Sequence, residues 1–407
     1  MRILIVSQYF WPENFPINDL AKGLRRRGHD VTVLTGMPNY PEGRFFPGYK
    51  AFPIRRERYD GMKIVRVPMV PKGSGNAIRM VLYYLSLALS ACLVAPVFFG
   101  KKVDLAFVYQ PSPITVGLPA LVLKRLYHVP VWMWVQDLWP ETLASTGMVR
   151  SPVLLALTDK LVRFVYSGCD KILVQSRAFI PRIKIRGVRE QKIRYFANSA
   201  EGLYKPVVVE QDAEERNLIP EGFCVLFAGN LGKAQDLPTI LRAAEKTRDY
   251  KDIHWVILGD GTMRAWAEDT VRARVLQGTV HLLGRYPAQS MPRFFSLADV
   301  LLVTLKQDPI FAITIPSKVQ SYLACGRPVL AAMDGEGARV VEESGSGMTA
   351  PSGDAEALAG VVLKMYKMPK PDREKMGRLA RKYFEKHFER NTLLDRLDQW
   401  MREEVNP

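Results

Sequence analysis

What most constrains this chain is a structural rhythm that it runs through twice. A short apolar run, Ile3 to Val6, is followed by a polar loop, a helical pattern from about Ile17 to Arg27 that stops at Gly28, and a second apolar run, Val31 to Leu34. Apolar residues in succession, without alternation, mark a parallel strand covered on both faces, and such strands need helical crossovers between them. Further strands are expected at Lys63 to Val67, Leu105 to Tyr109, Val131 to Val135 and Lys171 to Val174, with a helix over Pro152 to Ser167. The pattern then restarts. Strands at Val225 to Ala228, His254 to Leu258, Val280 to Leu283 and Val300 to Thr304 alternate with helices at Leu237 to Thr247, Met263 to Leu276 and Ser290 to Leu297. Two more βα units follow around Ser317 to Ala324 with Val329 to Ala331, and Ala355 to Met365. This alternation predicts an α/β protein with doubly wound sheets.

At 407 residues the chain is too long for one growing core, so two Rossmann-like domains facing a central cleft are expected. The first spans 1–198 and the second 199–385, joined by a linker near Asn198 to Pro206. A charged helical tail, 386–407, crosses back to the first domain.

Charge separates the halves. Residues 1–200 hold 29 Lys and Arg against 12 Asp and Glu, whereas residues 201–407 hold 28 against 29. A basic half points to an anionic partner. The basic residues are scattered among aliphatic and aromatic ones with no nucleic-acid module, which favours an anionic membrane surface and sets nucleic acid aside. Cys92, Cys169, Cys224 and Cys325 are widely spaced and form no C-x-x-C, as expected of reduced thiols in a cytoplasmic protein. The N-terminus opens directly on a strand, so no secretory signal is expected.

Met80 to Phe99 carries no charge over 20 residues, within an apolar segment of about 77–100. That length can cross a bilayer. A crossing would place Ile3 to Val6 and Leu105 to Tyr109 on opposite sides, where they could not share a sheet. A buried core helix and an element lying in the membrane interface are the other readings. Flanking Arg79, Lys101 and Lys102, with Arg55, Arg56 and Arg58 nearby, favour the interface.

Between Met1 and Lys22 there is no glycine, which argues against a dinucleotide on the first βα turn, and no P-loop occurs. The second half offers better phosphate chemistry. Gly229 and Asn230 lead into Gly232 and Lys233, a loop expected to open a helix and to offer free backbone N–H groups and a lysine to an anion. Gly259 with Asp260, Gly284 with Arg285, and Ser317 with Lys318 are further turns at strand or loop ends. No D-x-D occurs, so no metal is expected and Lys233, Lys318 and helix N-termini would neutralise a diphosphate. In the first half, Gln136 and Asp137 follow the apolar strand Val131 to Val135. Asp137 reads either as a helix N-cap or as a group that positions or deprotonates an acceptor hydroxyl. Trp11, Glu13 and Asn14, with Trp139 and Glu141, crowd the same rim as acceptor-side candidates.

These residues carry a resemblance. G-N-L-G-K-A-Q-D-L-P-T-I-L, V-I-L-G-D-G, L-L-G-R-Y-P, L-A-D-V-L-L-V and P-S-K-V-Q-S-Y-L-A-C-G-R-P-V-L resemble the GT-B glycosyltransferases of family 4. The opening S-Q-Y-F-W-P-E-N-F-P, with T-G-M-P-N-Y-P-E-G and V-Q-D-L-W-P-E, is similar to the branch that assembles bacterial surface polysaccharides such as colanic acid and O-antigen. The resemblance implies a GT-B fold and metal-independent transfer, with retention, of a sugar from a nucleotide donor of the UDP-sugar class. It also implies a polyprenyl-diphosphate-linked glycan acceptor at the inner face of the cell membrane, with the enzyme peripheral there. The C-terminal domain would hold the donor and the N-terminal domain the acceptor. The chain departs from the family pattern at several places. Asn230 and Gln235 stand where an Arg and a Lys are common, Ile313 and Ser321 where two glutamates are common, and Gln136 where a histidine is common. Backbone groups of Ala312 to Thr314 would then replace the first carboxylate. Two alternatives share this architecture: a non-hydrolysing sugar-nucleotide 2-epimerase, and an inactive nucleotide-sugar-binding partner protein.

Overall fold

The computed structural model describes residues 1–73 and 77–405. Residues 74–76 of the expected first domain and the last two residues of the expected tail lie outside the described residues. The chain forms two compact units: Met1–Ala197 with Leu394–Pro407, and Asn198–Leu393.

In the first unit the elements run β1 (Arg2–Ser7), α1 (Pro16–Arg26), β2 (Asp30–Thr35), β3 (Arg55–Tyr59), β4 (Met62–Arg66), α2 (Ala77–Phe98), β5 (Leu105–Gln110), α3 (Leu118–Tyr127), β6 (Val131–Val135), α4 (Glu141–Ser145), α5 (Pro152–Gly168), β7 (Lys171–Val174), α6 (Phe179–Lys184) and β8 (Ile193–Tyr195). They build an eight-stranded sheet in the order β3-β4-β2-β1-β5-β6-β7-β8, parallel except for β3 against β4. The central strands have the two-sided burial that their apolar runs predict: Ile3, Leu4, Ile5 and Val6 are at most 2% exposed. Strand order reverses between β1 and β5, and ligands of open α/β sheets sit outside the carboxyl ends at such a reversal.

α2 has two faces. Met80, Tyr83, Leu87, Ala91 and Val94 are buried, while Ile78, Leu82, Leu85, Leu89, Leu93 and Val97 are exposed. The strands that precede and follow it include β1 and β5, which pair in register from Ile3 with Leu105 to Ser7 with Tyr109. That pairing rules out a bilayer crossing by α2, and a fully buried core helix accounts for only one of its faces.

In the second unit the order is α7 (Glu214–Leu218), β9 (Phe223–Ala228), α8 (Leu237–Lys246), β10 (Ile253–Leu258), α9 (Arg264–Ala273), β11 (Val280–Gly284), α10 (Met291–Leu297), β12 (Val300–Thr304), α11 (Pro309–Ala312), α12 (Ser317–Ala324), β13 (Val329–Ala332), α13 (Glu336–Glu343), β14 (Gly347–Ala350), α14 (Ala355–Lys367) and α15 (Lys370–His387); α16 (Arg390–Val405) starts here and belongs to the first unit from Leu394 on. Six parallel strands lie in the order β11-β10-β9-β12-β13-β14, so the reversal falls between β9 and β12. The core gathers Val225, Phe227, Ile257 and Leu302 from the strands with Ile240, Leu358 and Val362 from the helices. Within the expected tail, 386–407, α15 ends at His387 and α16 follows from Arg390.

Candidate functional site

In the second unit, β9, β10 and β11 each end in a turn, at Gly229, Gly259 and Gly284. Gly229, Asn230, Gly259, Asp260 and Arg285 come together, with Tyr286, around a cavity of about 440 Å³. The turns hold one another. The Gly229 N–H donates to Leu258 O at 2.9 Å, the Gly259 N–H to Gly284 O at 2.7 Å and the Leu231 N–H to Asp260 O at 2.8 Å. Gly259 must lack a Cβ, which would fall 1.8 Å from Gly229 O. These three amides are therefore engaged in the scaffold and are not offered to an anion. The loop also does not open an α-helix. It enters a 3₁₀ turn, Lys233–Gln235, then Asp236 in the left-handed region, before α8 begins at Leu237. Lys233 is exposed and is not among the residues that line the cavity. The Asp260 carboxylate accepts from the Gly261 N–H at 2.7 Å and shapes its own turn.

Lys318, which likewise does not line the cavity, lies beside it at Gly229. It lies in the first turn of α12, directly after the exposed Ser317. Its Nζ sits 3.8 Å from the centre of the Phe227 ring on β9 and donates to Gln235 Oε1. The Gln235 carbonyl in turn accepts from Thr304 Oγ1 at the end of β12. A Cβ on Gly229 would lie 2.5 Å from Lys318 Cε, so Gly229 is open for this side chain. Tyr322, one turn on, ties α12 to β9 by accepting from the Ala228 N–H at 3.2 Å. The ammonium is thus set at the strand-order reversal among neutral groups, and burial pushes its pKa down to about 7. A cation desolvated in this way lacks the counter-charge that an anionic ligand brings. Gln235 is what gives Lys318 an amide for a neighbour.

The Ala312 to Thr314 backbone, expected to stand in for the first carboxylate, lies at the end of α11. The N–H groups of Ala312 and Thr314 donate to Asp308 O and Phe311 O. Ser321 Oγ donates to Ser317 O at 3.1 Å.

In the first unit, Asp137 follows β6 by two residues. It is not a helix cap, because α4 begins only at Glu141 and has Pro140 at its N-cap. Burial pushes its carboxyl up to about 6. Tyr84 and Tyr109 are close enough to feel its charge, and their phenols are raised, mainly by burial. Tyr84 Oη lies 3.5 Å from Ser112 Oγ, and the Trp139 ring meets the Tyr84 ring edge-on at 5.8 Å. Gln136 donates its backbone N–H to Gln110 O at 2.9 Å, while its side-chain Nε2 is buried with no hydrogen-bond partner among the described residues. Asp137, Gln136 and Trp139 therefore share one place at the ends of β5 and β6.

The other acceptor-side candidates go elsewhere. Glu13 Oε1 accepts from the N–H groups of Asn39 at 2.9 Å and Tyr40 at 2.8 Å, and Oε2 accepts from Phe10 at 3.4 Å. It ties the loop after β1 to the loop after β2. Burial raises its carboxyl to about 7 against the opposing pull of these donors. Trp11 stacks on Tyr59 at 4.6 Å and Asn14 is exposed. Glu141 accepts from Arg186 at 2.8 Å, which also donates to Asp159 at 2.9 Å. Tyr84, Tyr109, Ser112 and Gln235 were not foreseen. Tyr109 ends a buried strand as Asp137 follows one, and Tyr84 is a hydroxyl in a charge-free run. Both signals were available in the sequence.

Residues 17–199 match a glycosyl transferase 4-like domain and residues 209–383 match glycosyl transferases group 1. A putative colanic acid biosynthesis glycosyl transferase, WcaI of Escherichia coli strain K12, is 23% identical over 80% of this chain and 82% of its own. A probable glycosyltransferase, WbjE of Pseudomonas aeruginosa, is 27% identical over 66% and 69%. Among solved structures, HepE of Anabaena in complex with UDP superposes with a TM-score of 0.71 at 14% identity over 99% of this chain and 100% of that one. Sucrose-phosphate synthase of Thermosynechococcus elongatus superposes at 0.72 with 16% identity over 99% and 98%.

Proposed function

Because the chain belongs to the GT-B glycosyltransferases of family 4, by the matches to both of its halves, we propose that it transfers a sugar from a UDP-sugar to a polyprenyl-diphosphate-linked glycan during surface polysaccharide assembly. The second unit holds the donor and the first unit the acceptor. Transfer retains the anomeric configuration, and Lys318 with Arg285 supplies the positive charge at the diphosphate in place of a metal. The enzyme works peripherally on the inner face of the cell membrane. WcaI and WbjE support the pathway class, and HepE, solved with UDP, supports the donor class. The epimerase and the inactive-partner alternatives draw no support, since the family models and both relatives are transferases by name.

The observation that carries this reading is Lys318: a desolvated ammonium, flanked by Gly229 and Gln235, at the reversal of strand order. As the bond between the sugar and the diphosphate breaks, charge builds on the leaving oxygen, and a cation already fixed there stabilises that charge without reorganising. In the first unit the acceptor hydroxyl meets Asp137, whose pKa near 6 suits a proton acceptor at neutral pH, and the unpaired Nε2 of Gln136.

The test is transfer from a panel of UDP-, GDP- and dTDP-sugars to a polyprenyl-diphosphate glycan, with the product's anomeric configuration read by NMR. Asp137→Asn should abolish transfer and leave UDP affinity unchanged. Transfer at the wild-type rate in that variant would remove Asp137 from the chemistry, and an inverted product would remove retention.

A further inference from the structure

The outward stripe of α2 is not covered by the fold. Ile78, Leu82, Leu85, Leu89, Leu93 and Val97 recur at helical spacing and are 45% to 79% exposed. α3 packs against both α2 and α5, and α5 adds exposed Leu154, Leu157 and Phe164. Exposed apolar stripes of this kind mark a docking face. The charge around it says what docks.

Under the C-terminal end of α2, at the amino ends of β1, β2 and β4, opens a cavity of about 660 Å³. It lies at the opposite ends of the strands from Asp137 and Gln136. Phe98 forms its apolar lip, with the Arg56 guanidinium 4.6 Å from the ring centre. Arg58, Lys63 and Lys102 line the wall with Arg56. Of the other charged wall groups, Arg2 pairs with Asp104 at 2.6 Å and Glu57 is taken up by Arg66 and Arg55, which leaves Asp30 as the remaining carboxylate against four cations.

We propose that this cavity binds the headgroup phosphate of an anionic phospholipid while the exposed stripes of α2 and α5 lie in the same leaflet. The phosphodiester meets Arg56, Arg58, Lys63 and Lys102, and the acyl chains run along the apolar face that begins at Phe98 and Val97. A free phosphate would satisfy the cations but leave that face in water. The proposal deepens the membrane part of the proposed function and rests on it; donor binding is a separate property of the other unit.

The experiment is co-sedimentation of the full chain with phosphatidylcholine vesicles, with and without phosphatidylglycerol, at physiological salt. The wild type should partition about tenfold or more in favour of the anionic vesicles. Arg58→Gln/Lys63→Gln should lose most of that preference with an unchanged melting temperature, while Lys364→Gln/Lys367→Gln on α14 should keep it. Dihexanoyl phosphatidylglycerol below its micellar concentration should raise the melting temperature of the wild type and not of Arg58→Gln/Lys63→Gln, and glycerol phosphate should not. Equal losses in the two double variants, an unchanged preference in the first, or equal stabilisation by glycerol phosphate would each overturn the proposal. The rise in melting temperature with UDP, read on the same samples, reports the donor site independently. Its absence in the wild type would count against the donor reading and not against the lipid site.

Discussion

In the function we propose, a neutral setting suits Lys318 to receive an anion. In the free chain its pKa lies near 7, because Phe227, Gln235 and Gly229 replace water without supplying negative charge. A bound diphosphate raises that pKa again, so binding takes up a proton above pH 7. UDP affinity should therefore fall as pH rises from 7 to 9, with proton uptake visible by calorimetry in buffers of different ionisation enthalpy. Affinity constant over that range would contradict this setting. Glu13 shows the opposite economy: a carboxylate that holds structure. Its folded pKa of about 7 lies above the unfolded 4.5, so the folded chain favours the protonated form. Its contribution to stability is greatest below pH 4.5 and is lost as pH rises through 7. Glu13→Ala, which strands the buried N–H of Asn39 and the part-buried N–H of Tyr40, should cost about 1 to 3 kcal/mol in denaturant unfolding, whereas Glu13→Gln should stay near wild type. A loss of transfer in Glu13→Gln without loss of stability would instead make Glu13 an acceptor ligand.

At the scale of elements, the turn at Gly229 couples backbone to chemistry. Its φ of +143° and the nearness of Lys318 Cε mean that Gly229→Ala would strain the turn and push the lysine aside. UDP affinity should drop by about tenfold, measured by calorimetry, with the second unit still folded. The strands were legible because fully buried parallel strands leave uninterrupted apolar runs, as at Val131–Val135 and Val300–Thr304. β3, Arg-Arg-Glu-Arg-Tyr, was not, since an antiparallel edge strand needs no apolar pattern. The site was legible as a set of turns following apolar strands, which placed Asp137, Gly229, Gly259 and Arg285 at carboxyl ends. What sequence could not give was where side chains point after the turn. Lys233 faces water, Lys318 is half-buried and folds onto Gln235, and Glu13 and Glu141 are engaged by partners distant in sequence.

At the scale of the whole molecule, the chain ends where it began. From Leu394 on, α16 belongs to the first unit. Arg27 pairs with Asp395 at 2.6 Å and His29 with Asp398 at 2.7 Å, while Leu394, Leu397 and Met401 are at most 3% exposed. Three buried side chains of this size contribute roughly 5 to 9 kcal/mol as an upper bound, comparable with the net stability of a domain. Truncation before Leu394 should therefore unfold the first unit, seen as loss of a thermal transition, and an unchanged melt would show that the tail is dispensable. In the function we propose, the basic first half serves a lipid-borne acceptor and the neutral second half a nucleotide-sugar. That division rests on the diphosphate being held by lysine in the second unit. Calorimetric titration of UDP into wild type and Lys318→Ala in the presence of EDTA tests it most directly. The wild type should bind and Lys318→Ala should bind at least about tenfold more weakly. Equal affinities, or binding that appears only when a divalent metal is added, would contradict it.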